Sequence, residues 1–272
     1  MTTLSKKRLY QYGILVGVII GSVGVFFLYL VNYSLILKAL AEYDGAFQVV
    51  LTISLRIILL IIISVYLFNK WFKQEAQYLS DIPFLLGMFF LILLFGKAID
   101  IVWDLTFFTF SKDVILFFLK FRFIIIIFEV APLIYLGFEI IFFRLEDRFP
   151  KLKNNRFMNK LRTRLIAIIV SIESLIVIIT LKYNSLGFLL PFIVIPSLLG
   201  IVYIFFLAYR LNRLSVVKPG ILTIGFLLYL ISNIFRPLMM IILGETASYI
   251  IIAEIVDIFV FLIIFLGLYK QK

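Results

Sequence analysis

The chain contains no cysteine and no histidine. Without cysteine there is no disulfide framework and no thiolate metal site, and without histidine there is no imidazole ligand. Histidine acid–base catalysis is excluded too, which removes many intramembrane hydrolase and phosphatase schemes. Neither a cofactor nor a bound metal is expected. Charge is scarce: Asp, Glu, Lys and Arg make up 15% of the 272 residues, against about a quarter in an ordinary soluble domain. There is no Gly-rich phosphate loop, no metalloprotease helix and no nucleophile elbow. Long polar stretches are missing as well. The longest, roughly 144–164, has room for a loop or a short surface helix but not for a soluble domain.

What remains is apolar. Hydrophobic residues make up 64% of the chain and the mean hydropathy is +1.17, where a soluble domain has about 45–50% apolar residues. The composition predicts an all-α, polytopic helical bundle in a membrane, forming a single transmembrane domain over 1–272. A span needs about 20 mostly apolar residues. Eight intervals qualify: 10–32, 46–68, 82–105, 121–143, 163–182, 187–209, 219–242 and 247–269. The first follows Lys6, Lys7 and Arg8, as a signal sequence would, but its apolar run from Ile14 to Val31 is too long for a signal-peptide core. It reads as an uncleaved span. Before the fourth span, Asp113 to Phe121 reads either as an interfacial helix or as the start of one long tilted helix.

Basic residues orient the spans. With the N-terminus inside, eighteen of the 26 basic residues fall in inner segments, three inside spans and five (Lys38, Lys112, Lys120, Arg122 and Lys182) outside. That split predicts a multi-pass cell-membrane protein with both termini in the cytoplasm. The net charge of +11 is then mainly a topology signal. The basic loop 144–164 is expected to meet anionic headgroups of the bilayer rather than nucleic acid.

The chain reads in addition as two four-span halves, 1–145 and 160–272, joined by that loop. Glu129 follows the run Ile124–Ile127 in the fourth span, and Glu254 follows Ile250–Ile252 in the eighth. Lys97 and Arg236 hold matching places in the third and seventh. Four spans per half make the repeats parallel, about an axis along the membrane normal.

Nine ionisable residues lie inside the spans: Arg56, Lys97, Asp100, Asp104, Glu129, Glu173, Arg236, Glu254 and Asp257. Each costs about 2.5–3.5 kcal/mol at the bilayer centre, so they should pair or line a wet cavity. Lys97, Asp100 and Asp104 share a helix face, as do Glu254 and Asp257. In the orientation above, all nine sit between the midplane and the outer surface. Three basic and six acidic groups leave a formal surplus of −3, which points to an outward-facing acidic cavity for a small cationic or amine-bearing solute. The basic groups suit the carboxylate of a zwitterionic ligand. The competing reading is a purely structural lattice, with Arg56 on Glu129 and Arg236 on Asp257. Asp104 reads equally as a helix end in interfacial water, and Glu139 as snorkelling beside Arg144.

Three further features stand out. Gly13, Gly17, Gly21 and Gly24 form a small-residue stripe for close packing, within the bundle or across a homodimer. Pro191 and Pro196 in the sixth span free backbone carbonyls and suit a gate. Asp100-x-x-x-Asp104 has the spacing of a metal-binding aspartate pair, as in membrane prenyltransferases, but a second aspartate-rich motif is missing. The readings that follow are a small secondary transporter, a receptor-like sensor module, and a structural or assembly subunit, with the transporter placed first.

Overall fold

The computed structural model describes residues 3–106, 112–146, 148–210, 217–244 and 246–269. Among these the protein is all-helical: α1 (Thr3–Val31), α2 (Tyr33–Glu42), α3 (Ala46–Phe72), α4 (Ile82–Thr106), α5 (Lys112–Leu145), α6 (Asn155–Ile179), α7 (Tyr183–Arg210), α8 (Pro219–Leu243) and α9 (Ala247–Leu268), with a 3-10 turn at Pro150–Lys153. A chain this apolar must satisfy its own backbone in hydrocarbon, and the helix does so locally. Five helical segments are long and apolar enough to cross a membrane: Leu9–Val31, Ala46–Phe72, Ile82–Leu105, Pro219–Arg236 and Ala247–Leu268. The protein is a helical membrane bundle. The eight intervals read from the sequence fall on α1 and α3 to α9.

Of the two readings of the segment before the fourth interval, the structure shows the long helix and not a separate interfacial one. The segment is the first part of α5, which runs unbroken for 34 residues with Pro132 inside it. At 1.5 Å per residue α5 is about 50 Å long, well over a hydrocarbon core. The connection after α1 is also helical. The ten residues of α2 are too few to span, but Ile36, Ala39 and Tyr43 recur at helical spacing and pack with Val49, Ile53, Ile101 and Leu105 of α3 and α4.

Polar termini stop the helices where they should. Asn154 caps α6, its side-chain oxygen accepting from the backbone N–H groups of Arg156 and Phe157 at 3.0 and 3.2 Å. The basic loop is thus short, and α6 begins within it. Gly45 starts α3 at φ +83°, where a Cβ would lie 2.7 Å from that of Ala247, so the position needs glycine for both conformation and space.

Six helices pack as a closed circuit, in the order α3, α4, α5, α7, α8, α9 and back to α3. Its core is rich in phenylalanine: Phe205 and Phe226 stack at 5.5 Å, and Phe90 meets Phe261 edge-on at 5.8 Å. α6 packs outside the circuit on α5, and α1 leans on α4. The glycine stripe of α1 is split by that contact. Gly21 lies against the ring of Phe95, while Gly13, Gly17 and Gly24 face open space.

Candidate functional site

The charged side chains converge where the six-helix circuit closes. Arg56, from the middle of α3, is 1% exposed. Its Nη1 lies 2.7 Å from Glu254 Oε2 and 2.7 Å from Asp257 Oδ2, both on α9. The Arg56 guanidinium also sits over the ring of Phe261, 4.9 Å from its centroid. Arg236 on α8 reaches the same two carboxylates, 3.4 Å from Glu254 and closer to Asp257. Ser232, one turn earlier on α8, donates its hydroxyl to Asp257 Oδ1 at 2.6 Å.

α4 and α5 extend the network. Lys97 contacts Glu254 at 2.8 Å and Asp100, one turn on, at 2.9 Å. Arg122 on α5 donates to both oxygens of Asp100, Nε at 2.6 Å and Nη2 at 3.3 Å. This fork is the strong geometry for a guanidinium and a carboxylate. The remaining terminal nitrogen, Nη1, is 3.6 Å from Glu129 Oε2. Glycine at position 96 leaves room for that guanidinium, since a Cβ there would come within 2.6 Å of Nη1.

The connected set holds four basic groups (Arg56, Lys97, Arg122, Arg236) and four acidic ones (Asp100, Glu129, Glu254, Asp257). An isolated ion out of water costs several kcal/mol, so charges this buried persist only when paired and hydrogen-bonded. Glu254 shows the device most fully, with Arg56, Lys97 and Arg236 all around it.

Seven of these eight border one cavity of about 210 Å³. Arg56, Lys97 and Asp100 line it from α3 and α4, Arg122 and Glu129 from α5, and Arg236 and Asp257 from α8 and α9. Asn233 and Tyr229 add polar atoms from α8. Apolar side chains complete the lining, with Leu119, Phe123, Ile126 and Val130 from α5 and Val194 and Leu198 from α7. Three polar atoms in this region are buried without a hydrogen-bond partner: Arg56 Nε, Arg122 Nη1 and Glu129 Oε2.

Of the nine residues read from the sequence, Arg56, Lys97, Asp100, Glu129, Arg236, Glu254 and Asp257 come together. Two do not join them. Asp104 is half-buried on α4 and makes no salt bridge among the described residues. Glu173 lies on α6, outside the circuit, half-buried with Oε2 unpartnered. Arg122, which the sequence reading counted with the outer basic residues, is a full member. The acidic surplus therefore disappears: the cavity wall carries four basic and three acidic groups. Arg56 pairs with Glu254 and Asp257 rather than with Glu129, because Glu129 faces Arg122. The Arg236–Asp257 pair is present. Asp100 has both oxygens on Arg122 and so does not pair with Asp104 for a metal.

The two prolines lie within α7, which stays helical through both. Pro196 is exposed, away from the cavity, and the side chain of Pro191 lies outside the described residues. α7 contributes Val194 and Leu198 to the wall instead. Glu139 pairs with Arg162 of α6 at 2.9 Å. Arg162 is 2% exposed and stacks on Tyr135 at 4.5 Å.

No family model matches the chain, no curated protein matches its sequence, and no solved structure matches it.

Proposed function

We propose that this multi-pass membrane protein binds a small charged solute in the intramembrane cavity and carries it across the bilayer as a secondary transporter. The observation that carries the reading is the cavity itself. Seven charged side chains from five helices border about 210 Å³, and at its edge Arg122 Nη1 and Glu129 Oε2 are ion-paired at 3.6 Å without a hydrogen bond. A lattice that served packing alone gains nothing from a buried pair too long to hydrogen-bond.

In this reading eight helices cross the membrane, with both termini in the cytoplasm, as the distribution of Lys and Arg supports. The circuit order also supports two related halves: α3, α4 and α5 follow one another as α7, α8 and α9 do, and α5 meets α7 as α9 meets α3. Charges at a repeat interface near mid-membrane suit a translocation site. Arg122, Glu129 and Arg236 contact the solute, while Glu254 holds the three cations around it in place.

Flux into proteoliposomes loaded with the purified protein tests the proposal. Transport requires uptake that Glu129→Gln abolishes while the protein stays folded. Binding without flux supports a receptor-like sensor. The balance of four basic and four acidic groups favours a second reading, a structural lattice. That reading expects neither binding nor flux, with charge substitutions lowering only stability or assembly.

A further inference from the structure

Taking the cavity as a solute site, we infer that its ligand is a small zwitterion with ammonium and carboxylate on neighbouring atoms: an α-amino acid with a short apolar side chain. Two atoms set the requirement. Arg122 Nη1 is a donor without an acceptor, and Glu129 Oε2 is an acceptor without a donor. They form an ion pair 3.6 Å apart on residues that both line the cavity, and Glu129 is 4% exposed. That pair is too long for a hydrogen bond, so a ligand in the cavity can bond to both atoms. A carboxylate can accept from Arg122 while the adjacent ammonium donates to Glu129, two charge-assisted hydrogen bonds made side by side.

Charge balance excludes the simpler ligands. A monovalent amine would satisfy Glu129, leave Arg122 Nη1 unmet and bring a fifth positive charge beside Arg56, Lys97, Arg122 and Arg236. A monovalent carboxylate would satisfy Arg122, leave Glu129 Oε2 unmet and face the Glu129 carboxylate at close range. Either would add net charge to a network that is neutral as it stands, which is costly at low dielectric. A zwitterion adds none.

Size and lining supply the rest. A cavity of about 210 Å³ is somewhat larger than the roughly 150 Å³ apolar site that admits benzene. That is room for one small amino acid, not for a dipeptide. The lining also holds Phe123, Ile126, Val194 and Leu198, apolar surface for an aliphatic side chain.

The test is thermal stabilisation of the purified full chain by L-alanine, L-valine, propionate, propylamine and propionamide. L-Valine and L-alanine are expected to raise the unfolding temperature at concentrations at least about tenfold lower than the other three, since each of those loses one charge-assisted bond. Glu129→Gln is expected to weaken L-valine about 10- to 100-fold and to strengthen propionate, which no longer faces a carboxylate. Leu198→Phe, which leaves every charge in place, is expected to exclude L-valine. Propionate, propylamine or propionamide matching the amino acids would overturn the ligand class and leave the solute site standing. No response to any of the five overturns the zwitterion as well. The solute site is then decided separately, by whether a cysteine at position 198 is reached from water.

Discussion

Arg122 and Glu129 stand seven residues apart on α5 and face each other across 3.6 Å, Nη1 to Oε2, with neither atom hydrogen-bonded. The rest of the guanidinium is committed to Asp100. This half-satisfied corner separates a binding site from a closed lattice, and it depends on a neighbour with no side chain. A methyl group at Gly96 would meet Arg122 Nη1 at 2.6 Å. Gly96→Ala is therefore expected to push the guanidinium off Asp100 and Glu129 and to weaken solute binding about tenfold or more. Calorimetric titration of the variant against the wild-type protein checks this. A retained affinity would separate the corner from the ligand.

Arg56 holds two carboxylates at 2.7 Å each in a site where all three side chains are almost fully buried. Its removal leaves Glu254 and Asp257 short of a partner in low dielectric. Arg56→Ala is expected to cost about 3–5 kcal/mol, read as a loss of monodisperse protein and a large fall in unfolding temperature. Arg56→Ala combined with Glu254→Gln should recover part of that loss, because the second change removes the stranded charge.

Glu173 presents the opposite case. Its carboxylate is half-buried on α6 beside Val170 and Val177, with Oε2 unpartnered. Glu173→Gln is expected to leave stability within about 1 kcal/mol or to raise it, since an amide is easier to bury than a carboxylate. Flux and binding should be unchanged. A loss of flux comparable to that of Glu129→Gln would return Glu173 to the transport path.

Arg162 ties α6 to the circuit, paired with Glu139 at 2.9 Å, stacked on Tyr135 and donating to Asn159. Arg162→Ala should release the N-terminal turns of α6 and expose the basic segment. Limited proteolysis between 146 and 164 is expected to accelerate severalfold, with little change in binding at the distant cavity.

The natural chain has no cysteine, so single cysteines report membrane side without background. Lys160 and Ser185 are exposed near opposite ends of α6. An impermeant thiol reagent is expected to label Ser185→Cys on intact cells and Lys160→Cys only after permeabilisation. Labelling of both from one side would remove α6 from the spanning set.

Most of the helices were legible because apolar runs of span length allow little else. Packing was less legible, and α5 shows why. Arg122 stands at the outer end of the fourth interval beside Lys112 and Lys120, so the outer basic count absorbed it. In the fold α5 continues through them, and the seven-residue step from Arg122 to Glu129 puts both on one face toward Asp100. Gaining Arg122 and losing Asp104 and Glu173 turns an expected acidic chamber into a balanced one. Glu173 illustrates the complementary limit. Hydropathy fixes how deep a side chain lies along its helix, but not which helices surround it, and α6 stands outside the circuit. The short α2 escaped because its evidence is amphipathic spacing over ten residues rather than length.

Leu198 offers the most direct test of the central claim, that the charged circuit encloses a solute cavity rather than a dry lattice. It is 1% exposed, uncharged, and lines the same cavity as Arg122 and Glu129. In membranes, Leu198→Cys should react with a small water-soluble methanethiosulfonate reagent, and L-valine should slow that reaction. A cysteine there that stays unreactive from both faces, while Ser185→Cys labels fully, would contradict the account.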